Sequence, residues 1–453
     1  MKVLITGASG LIGQQVGKKL AEKGHQLLVV SRKKSSVKNL LPFPCEVIEG
    51  DLNESPLKDD RLATVEGVIN LMGETISGRW TDKKKEAIYH SRIIGTRNLV
   101  KSLPTSLQVL VQGSAVGAYG DRHDELLTEE SSLGQDFLAK VCRDWEHEAS
   151  RAAGRKVFVR TGIVLSQQGG AFPQMLFPFR LGFGGALGSG NQWMSWVHIE
   201  DISNLFVEAL ENPKFTGAIN GTAPEPVTTN DLSKRLAQEL STYKGPAVPA
   251  FVLKLLFSEG ADPILGSQRV QSRASQWGYK FRYAKLEEAL KDLCEPYSQG
   301  EDILVAEQYF DKPPAELFEY FKEAHNLEEI TPPTLKFKIE KISTPQVQQG
   351  TLIDYTLKVH GVPMKWRTEI DEWQPPTKFV DNQLKGPYRK WHHTHEFKPF
   401  AGGTLMTDRV RYKLPLGYLG WLLAGAFVRK DVQQIFSFRR KIIAEQFHPD
   451  AQA

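Results

Sequence analysis

The sequence predicts a doubly wound parallel α/β sheet followed by a separate α+β domain, on the strength of three observations. The chain opens on a short β-branched run, Lys2 to Thr6, followed by spaced glycines and a helical stretch. Strand-like and helix-like segments then alternate through residue 295, a pattern that builds a parallel sheet with helices on both faces. From residue 303 the pattern changes to a succession of strands closed by a helix, the mark of an α+β arrangement.

The length of 453 residues accommodates two or three domains. With 57 basic and 53 acidic residues the net charge is only +4, which implies no polyanion, so no nucleic-acid partner is expected. Because a core strand is read at the very start of the chain no leader is expected, and no apolar run approaches the ~18 residues of a membrane span. No membrane span and a cytoplasmic location are therefore expected. The longest apolar stretch, Leu414 to Val428, is interrupted by Pro415, Gly417, Gly420 and Gly425 and reads as a packed helix or lid. Cys45, Cys142 and Cys294 are odd in number and far apart, as reduced thiols would be.

In the opening stretch KVLITGASGLIG, Gly7, Gly10 and Gly13 lie between a strand and the helical run Leu11 to Lys23. One glycine makes the tight turn, the next lets a pyrophosphate approach the backbone, and the third lets helix and strand pack. The helix start faces the anion with unpaired N–H groups. At the end of the second strand, Gln26 to Val30, stand Ser31 and Arg32. A carboxylate there would bind a ribose 2′-hydroxyl, whereas a small hydroxyl followed by a guanidinium leaves room and charge for a 2′-phosphate, favouring NADP over NAD. Lys33 and Lys34 add to the positive field. Asp51 is placed for an adenine edge, and Asn70 to Glu74 for the nicotinamide half, where Gly73 allows close approach.

TGASGLIG at the start, GDL at 50–52, INLMG at 69–73, RWT at 79–81 and SRIIGTRNL at 91–99 together resemble the extended short-chain dehydrogenase/reductase superfamily. Within it the match is to an atypical, sugar-nucleotide-epimerase-like branch to which cell-division inhibition has been attributed. GSAVGAYG at 113–120, FLAKVCRDWE at 137–146, VRTGIVL at 159–165, WVHIED at 196–201 and PAFVLKLLFSEGADPILGSQRV at 249–270 extend the resemblance to about residue 295. It implies a Rossmann-like domain over 1–295, including a C-terminal lobe over about 240–295. It places the cofactor on Thr6, Gly7, Ser9, Gly10, Leu11, Ile12, Gly13, Ser31, Arg32, Asp51, Leu52, Leu71, Gly73 and Glu74, and a small-molecule substrate beside it.

The superfamily uses a Ser or Thr to polarise the substrate oxygen, a Tyr to transfer the proton and a Lys four residues later to lower that Tyr's pKa. Ser114 takes the first role. The Tyr-x-x-x-Lys pair is absent: alignment on Trp145 and Glu146 puts Leu138 and Cys142 at its positions. Tyr119, on the turn after Ser114, is the substitute candidate, and Ser114 and Tyr119 are the catalytic candidates. Arg160 and Trp196 flank the substrate cleft of this fold, Arg160 as a bidentate anion holder or as a member of a structural ion pair. The chemistry implied is epimerisation, dehydration or reduction; the alternative is a non-catalytic NADP-responsive regulator, which the missing Tyr and Lys favour.

A linker is expected over 296–302, a second domain over 303–447 and a tail over 448–453. Strands are read at Ile303 to Phe310, Lys336 to Ser343, Thr351 to Val359, Lys365 to Trp373, Lys378 to Gln383, Tyr388 to Lys398 and Gly403 to Leu414, with a final helix from Asp431 to Gln446. This order of elements resembles the START-like, polyketide-cyclase-like (SRPBCC) helix-grip superfamily, which implies an apolar ligand between sheet and last helix. Alternation puts Trp391, His393, His395 and Phe397 on one face. Trp391, His393 and His395 are therefore the candidate ligand contacts there. Two imidazoles lack an obvious third ligand, so no metal is expected.

Overall fold

The structure, a computed structural model, describes residues 1–33 and 40–447. Lys34, expected to reinforce the basic loop, and the tail 448–453 lie outside the described residues. The chain divides into two compact units, one taking residues 1–33 and 45–294, the other 40–44 and 295–447.

The first unit is built on seven parallel strands: β1 (Lys2–Thr6), β2 (Gln26–Ser31), β3 (Glu46–Glu49), β4 (Gly67–Asn70), β5 (Val109–Ala115), β6 (Arg155–Thr161) and β7 (Gly217–Gly221). They lie in the order β7-β6-β5-β4-β1-β2-β3. The middle residues of β1 and β4 are apolar, and Val3, Leu4, Ile5, Val68 and Ile69 are completely buried, as strands covered on both faces require. The chain leaves β1 toward β2 on one side and returns through β4 on the other, so a crevice opens at the carboxyl ends of these two strands. Helices α1 (Leu11–Glu22), α2 (Asp82–Ser102), α3 (Phe137–Ser150) and α4 (Ile199–Glu211) flank the sheet. Thr81 caps α2 by accepting from Lys84 N at 3.2 Å, and Asp136 caps α3 by accepting from Ala139 N at 2.9 Å.

Trp196–His198 is a short strand, and α4 starts at Ile199. The reason is the His198 ring, whose Nδ1 accepts from Glu200 N at 3.1 Å and so caps the helix. The helix Leu286–Ser298 runs on through Pro296 into the stretch 296–302 expected to be a linker. A proline there removes the N–H that would reach the carbonyl of Asp292, and Gln167 Nε2 donates to Asp292 O and Leu293 O instead, at 3.2 and 3.0 Å.

The second unit is one antiparallel sheet of seven strands: β8 (Asp302–Phe310), β9 (Lys338–Ile342), β10 (Leu352–Val359), β11 (Val362–Gln374), β12 (Lys378–Lys385), β13 (Lys390–Phe400) and β14 (Gly403–Lys413). They run in the order β8-β14-β13-β12-β11-β10-β9, and one long helix, α5 (Gly417–Phe447), packs on the sheet in a helix-grip arrangement. Val432 and Phe436 of α5 pack with Val410 and Tyr412, while Ile443 joins Phe310, Phe318, Phe379, Phe397 and Met406. The expected break between Leu414–Val428 and a helix beginning at Asp431 does not occur. A glycine inside a helix costs only about 1 kcal/mol, too little to end one that is packed. Gly420 is in fact required where it is, because a Cβ there would stand 1.9 Å from the Pro415 carbonyl oxygen. Among the described residues no helix is long and apolar enough to cross a membrane.

The buried cap His198 makes the first unit sensitive to acid. Burial pushes its pKa down to about 4, against the opposing pull of Asp292, whose Oδ2 lies 3.4 Å from Nε2. With a folded value below the unfolded value of about 6.5, the unfolded chain binds more protons between the two. The contribution of His198 to stability is present above that window and is lost as pH falls from about 6.5 toward 4. In thermal denaturation across this range, His198→Gln should lose part of the wild-type dependence on pH; an identical dependence refutes the assignment.

Candidate active site

At the carboxyl end of β1 the chain turns sharply, with Gly7 at φ 67° and Gly10 N donating to Gly7 O at 3.0 Å. The turn touches the end of β4, since a Cβ on Gly7 would stand 2.6 Å from Leu71 O, and one on Gly13 would stand 2.3 Å from Gly7 O. Only hydrogen fits at either place, so the glycines make a bare cradle against the start of α1. No acidic residue lies in the first turn of that helix, and Gly10 at its N-cap supplies no side-chain acceptor. Ser9 and Gly10 are exposed, Leu11 and Ile12 are half-buried, and Gly13 is buried. This is the surface an anionic pyrophosphate requires.

The other expected cofactor positions surround that cradle unequally. Thr6 is buried, and its hydroxyl donates to Asn70 Oδ1, so its side chain is committed within the protein. Ser31 Oγ is tied to the backbone of Lys33, donating to its carbonyl at 3.1 Å, while Arg32 is exposed and pairs with no carboxylate among the described residues. Asp51 accepts from Asn53 N at 2.9 Å and Leu52 is buried. Leu71 is half-buried, Gly73 is exposed, and Glu74 pairs with Lys84 at 2.6 Å.

Ser114, near the end of β5, is buried, and its hydroxyl donates to Glu146 Oε1 at 2.7 Å. Arg160 closes on the same carboxylate as a fork, Nε to Oε1 at 3.0 Å and Nη2 to Oε2 at 2.9 Å. Its Nη1 donates to Tyr119 Oη at 3.1 Å, and Tyr119 donates in turn to Asn220 Oδ1 at 2.7 Å. Tyr119 has no exposed surface, and burial raises its pKa against the pull of Arg160, so its phenol is a sealed hydrogen-bonded group. Arg160 likewise serves a carboxylate of its own chain and does not reach out as an anion holder. Trp196 is a core residue with no exposure, its Nε1 donating to Glu225 O at 3.0 Å, which removes it from any substrate surface.

Glu146 and Arg92 escaped the reading of the sequence. Leu138, Cys142 and Glu146 stand at intervals of four on α3 and so share one face, which places a carboxylate one turn beyond the position of the missing Lys. The Cys142 thiol is pushed up to about 11, by burial first and by Glu146 next, with Arg92 pulling against both. Arg92 reaches in from α2 with its guanidinium 5.0 Å from the Trp145 ring centre, and a Cβ on Gly73 would stand 2.9 Å from its Cζ. It donates to the carbonyls of Glu74 and Ile88, at 2.9 and 3.2 Å, and no carboxylate among the described residues lies within ion-pair distance. The spacing of four from Cys142 was the available signal for Glu146; nothing in the local sequence marks Arg92.

Residues 3–220 match the NAD dependent epimerase/dehydratase family. An epimerase family protein of Arabidopsis thaliana, a chloroplastic homologue of SDR39U1, is 39% identical over 309 residues, covering 65% of this chain and 87% of the plant protein. The chain belongs to the NAD dependent epimerase/dehydratase family. Within that family, the epimerase family protein YfhF of Bacillus subtilis is 34% identical, with 65% of this chain and 98% of its own covered. The crystal structure of the human epimerase family protein SDR39U1 with NADPH aligns with a TM-score of 0.58 at 30% identity, over 65% of this chain and 99% of the human chain. Residues 248–293 match a domain of unknown function, DUF1731.

This epimerase-family chain carries a third match, residues 310–437, to polyketide cyclase / dehydrase and lipid transport. There Phe397 lies in the core with Phe318, Phe321 and Phe379, their ring centres 5.2 to 6.1 Å from its own. Trp391 is half-buried and packs edge-on to Trp366 at 5.4 Å. His393 and His395 are buried between Asp381 and Asp408, and burial, followed by His395, pushes His393 down to about 4.

Removing the guanidinium that closes on Glu146 leaves a carboxylate deep in the first unit without its partner. Arg160→Ala should therefore destabilise by roughly 3 kcal/mol. Urea denaturation compared with Arg160→Lys, which keeps the charge, checks this; equal stability of wild type and the Ala variant refutes it.

Proposed function

We propose that the first unit binds NADP(H) and performs reductase- or epimerase-type chemistry on a small hydroxyl- or carbonyl-bearing substrate, with Ser114 and Glu146 as its proton-handling pair. The observation that carries this is the Ser114 hydroxyl donating to a carboxylate held by a forked guanidinium. Bound cofactor supplies the hydride acceptor or donor. The glycine cradle fits its pyrophosphate, because a Cβ at Gly7 or Gly13 would collide with backbone. Arg32, exposed and without a carboxylate partner among the described residues, favours the 2′-phosphate of NADP over NAD.

In this reading a substrate hydroxyl hydrogen-bonds Ser114 Oγ; in the oxidising direction its proton passes to Ser114 Oγ as the serine proton passes to Glu146 Oε1, and reduction runs the same relay in reverse. Arg160 orients the carboxylate through its fork, and so is a positioning residue. Arg92 supplies, from α2, the positive charge that the absent Lys would have brought near Cys142. The match to polyketide cyclase / dehydrase and lipid transport supports an apolar ligand for the second unit. A second reading, a non-catalytic NADP-responsive regulator such as one acting in cell division, draws support from the sealed phenol of Tyr119 and from Leu138 and Cys142 at the positions of the catalytic pair.

Titration of NADPH fluorescence tests the shared part. Wild type should bind, and Arg32→Glu should weaken NADPH by about 10-fold or more while sparing NADH; no binding by wild type sinks both readings. Cofactor oxidation across a panel of carbonyl and sugar-nucleotide substrates separates them. Glu146→Gln should keep NADPH affinity and lose about 100-fold or more in turnover. Binding without turnover by wild type on the whole panel overturns the catalytic reading in favour of the regulator.

A further inference from the structure

Four residues of the second unit meet on the sheet face that α5 covers. Asp381 of β12 lies opposite His393 of β13, and His395, two residues on, lies opposite Asp408 of β14. His393, His395 and Asp408 are buried, and the Asp381 side chain is 18% exposed. Asp381 Oδ2 stands 3.4 Å from His393 Nδ1 and 3.0 Å from His395 Nε2. Asp408 Oδ1 stands 2.9 Å from His393 Nε2 and 2.8 Å from His395 Nδ1. Each imidazole is thus held between the same two carboxylate oxygens, one facing each ring nitrogen.

That arrangement lacks positive charge. A neutral imidazole has one N–H and one lone pair, so two neutral rings bring two protons to four nitrogen–oxygen contacts. Two lone pairs are then left against anionic oxygens in a buried place, where an unmet polar contact is costly. On the Asp408 side Arg439 supplies a cation, its Nη2 3.3 Å from His395 Nδ1 and its Nε, which has no hydrogen-bond partner, 3.6 Å from Asp408 Oδ2. No Lys or Arg among the described residues forms an ion pair with Asp381.

We propose that Asp381 Oδ2, His393 Nδ1 and His395 Nε2 form a three-ligand site for a first-row divalent transition-metal ion of the Zn²⁺ or Fe²⁺ class. The ligand atoms of the three residues lie within 4.8 Å of one another. With bonds of about 2.1 Å, ligands subtending 90° to 110° at an ion stand about 3.0 to 3.4 Å apart, which are the separations seen from Asp381 to the two rings. Two imidazoles and one carboxylate suit such an ion better than Mg²⁺ or Ca²⁺, which prefer oxygen alone. Asp408 completes the design. With the ion on the Asp381 side, both outer ring nitrogens carry protons and face one Asp408 oxygen, the second sphere that fixes the tautomer of a metal-bound histidine. Arg439 then neutralises Asp408 through its partnerless Nε. Phe379, stacked on His395 at 3.9 Å, and Phe436, edge-on to His393 at 5.2 Å, wall the rings in. Three protein ligands leave coordination positions open for water or for an oxygen of a bound molecule. The proposal is independent of the reading of the first unit.

The test uses the full chain, stripped with chelator and titrated with Co²⁺ and with Zn²⁺, with metal content measured after desalting. One ion per chain is expected, with a Co²⁺ ligand-field spectrum that Zn²⁺ abolishes by competition. Asp381→Asn and His395→Gln should each weaken binding by about 100-fold or more, and Asp408→Asn by about 10- to 100-fold, with circular dichroism unchanged. Should the variants fail to fold, wild type decides alone: two paramagnetically shifted imidazole N–H resonances are expected on Co²⁺ loading. A folded wild-type chain that retains no ion, as a cluster neutralised by protons would, overturns the site. So does stoichiometric uptake without those resonances, or uptake that a folded Asp381→Asn variant leaves unaltered.

Discussion

The buried side-chain amide of Asn70 is the interaction on which the first unit's crevice depends. Its Nδ2 donates to Thr96 Oγ1 at 2.9 Å and to Gln112 Oε1 at 2.8 Å, and its Oδ1 accepts from the hydroxyl of Thr6. Trp145 Nε1 donates to the same Thr96 oxygen at 2.8 Å. One amide therefore ties the end of β1 to β4 and β5, and through Thr96 to α2 and α3. In a low-dielectric interior each of these bonds is expensive to lose, so the strand ends and the two helices hold one mutual position. Gly7 can then lie against Leu71 without a gap, and Arg92 and Glu146 arrive from different helices at the same edge of the sheet.

That rigidity bears on how the site handles charge. The superfamily's usual solution places a lysine beside a tyrosine so that the phenol can ionise. Here the two positions hold Leu138 and a thiol whose ionisation burial opposes, and the phenol that is available, Tyr119, is sealed in hydrogen bonds. The charged groups at this edge are instead a carboxylate one helical turn further on and guanidinium groups from α2 and β6. The fork of Arg160 on both oxygens fixes the orientation of that carboxylate.

The two units differ in how far their sequence could be read. Alternation along β13 assigned Trp391, His393, His395 and Phe397 to one face, and the strand register bears this out by facing His393 with Asp381 and His395 with Asp408. What alternation within one strand cannot give is the neighbour across the ladder. Asp381 lies in a strand 12 residues away in sequence and Asp408 in another, so the third ligand and the orienting carboxylate were invisible until the strands were paired. The helix α5 was underestimated for a related reason: Gly420 and Gly425 read as breaks, yet Gly420 sits against the Pro415 carbonyl, a contact that sequence spacing does not reveal.

By itself the sequence determined the order of strands and helices, the glycine turn after β1, the basic residue in place of an acidic one after β2, the loss of the Tyr and Lys pair, and the change of fold style past residue 295. These are local properties, set by periodicity, by conformations that only glycine adopts and by residue type at a strand end. Tertiary structure decided which side chains are free to act. Arg160, Tyr119 and Trp196 were legible as candidates but are occupied or buried, while Glu146, Arg92 and Asp381 acquire their roles from neighbours far away in the chain. Burial and partnership are relations between distant segments, and no run of adjacent residues encodes them.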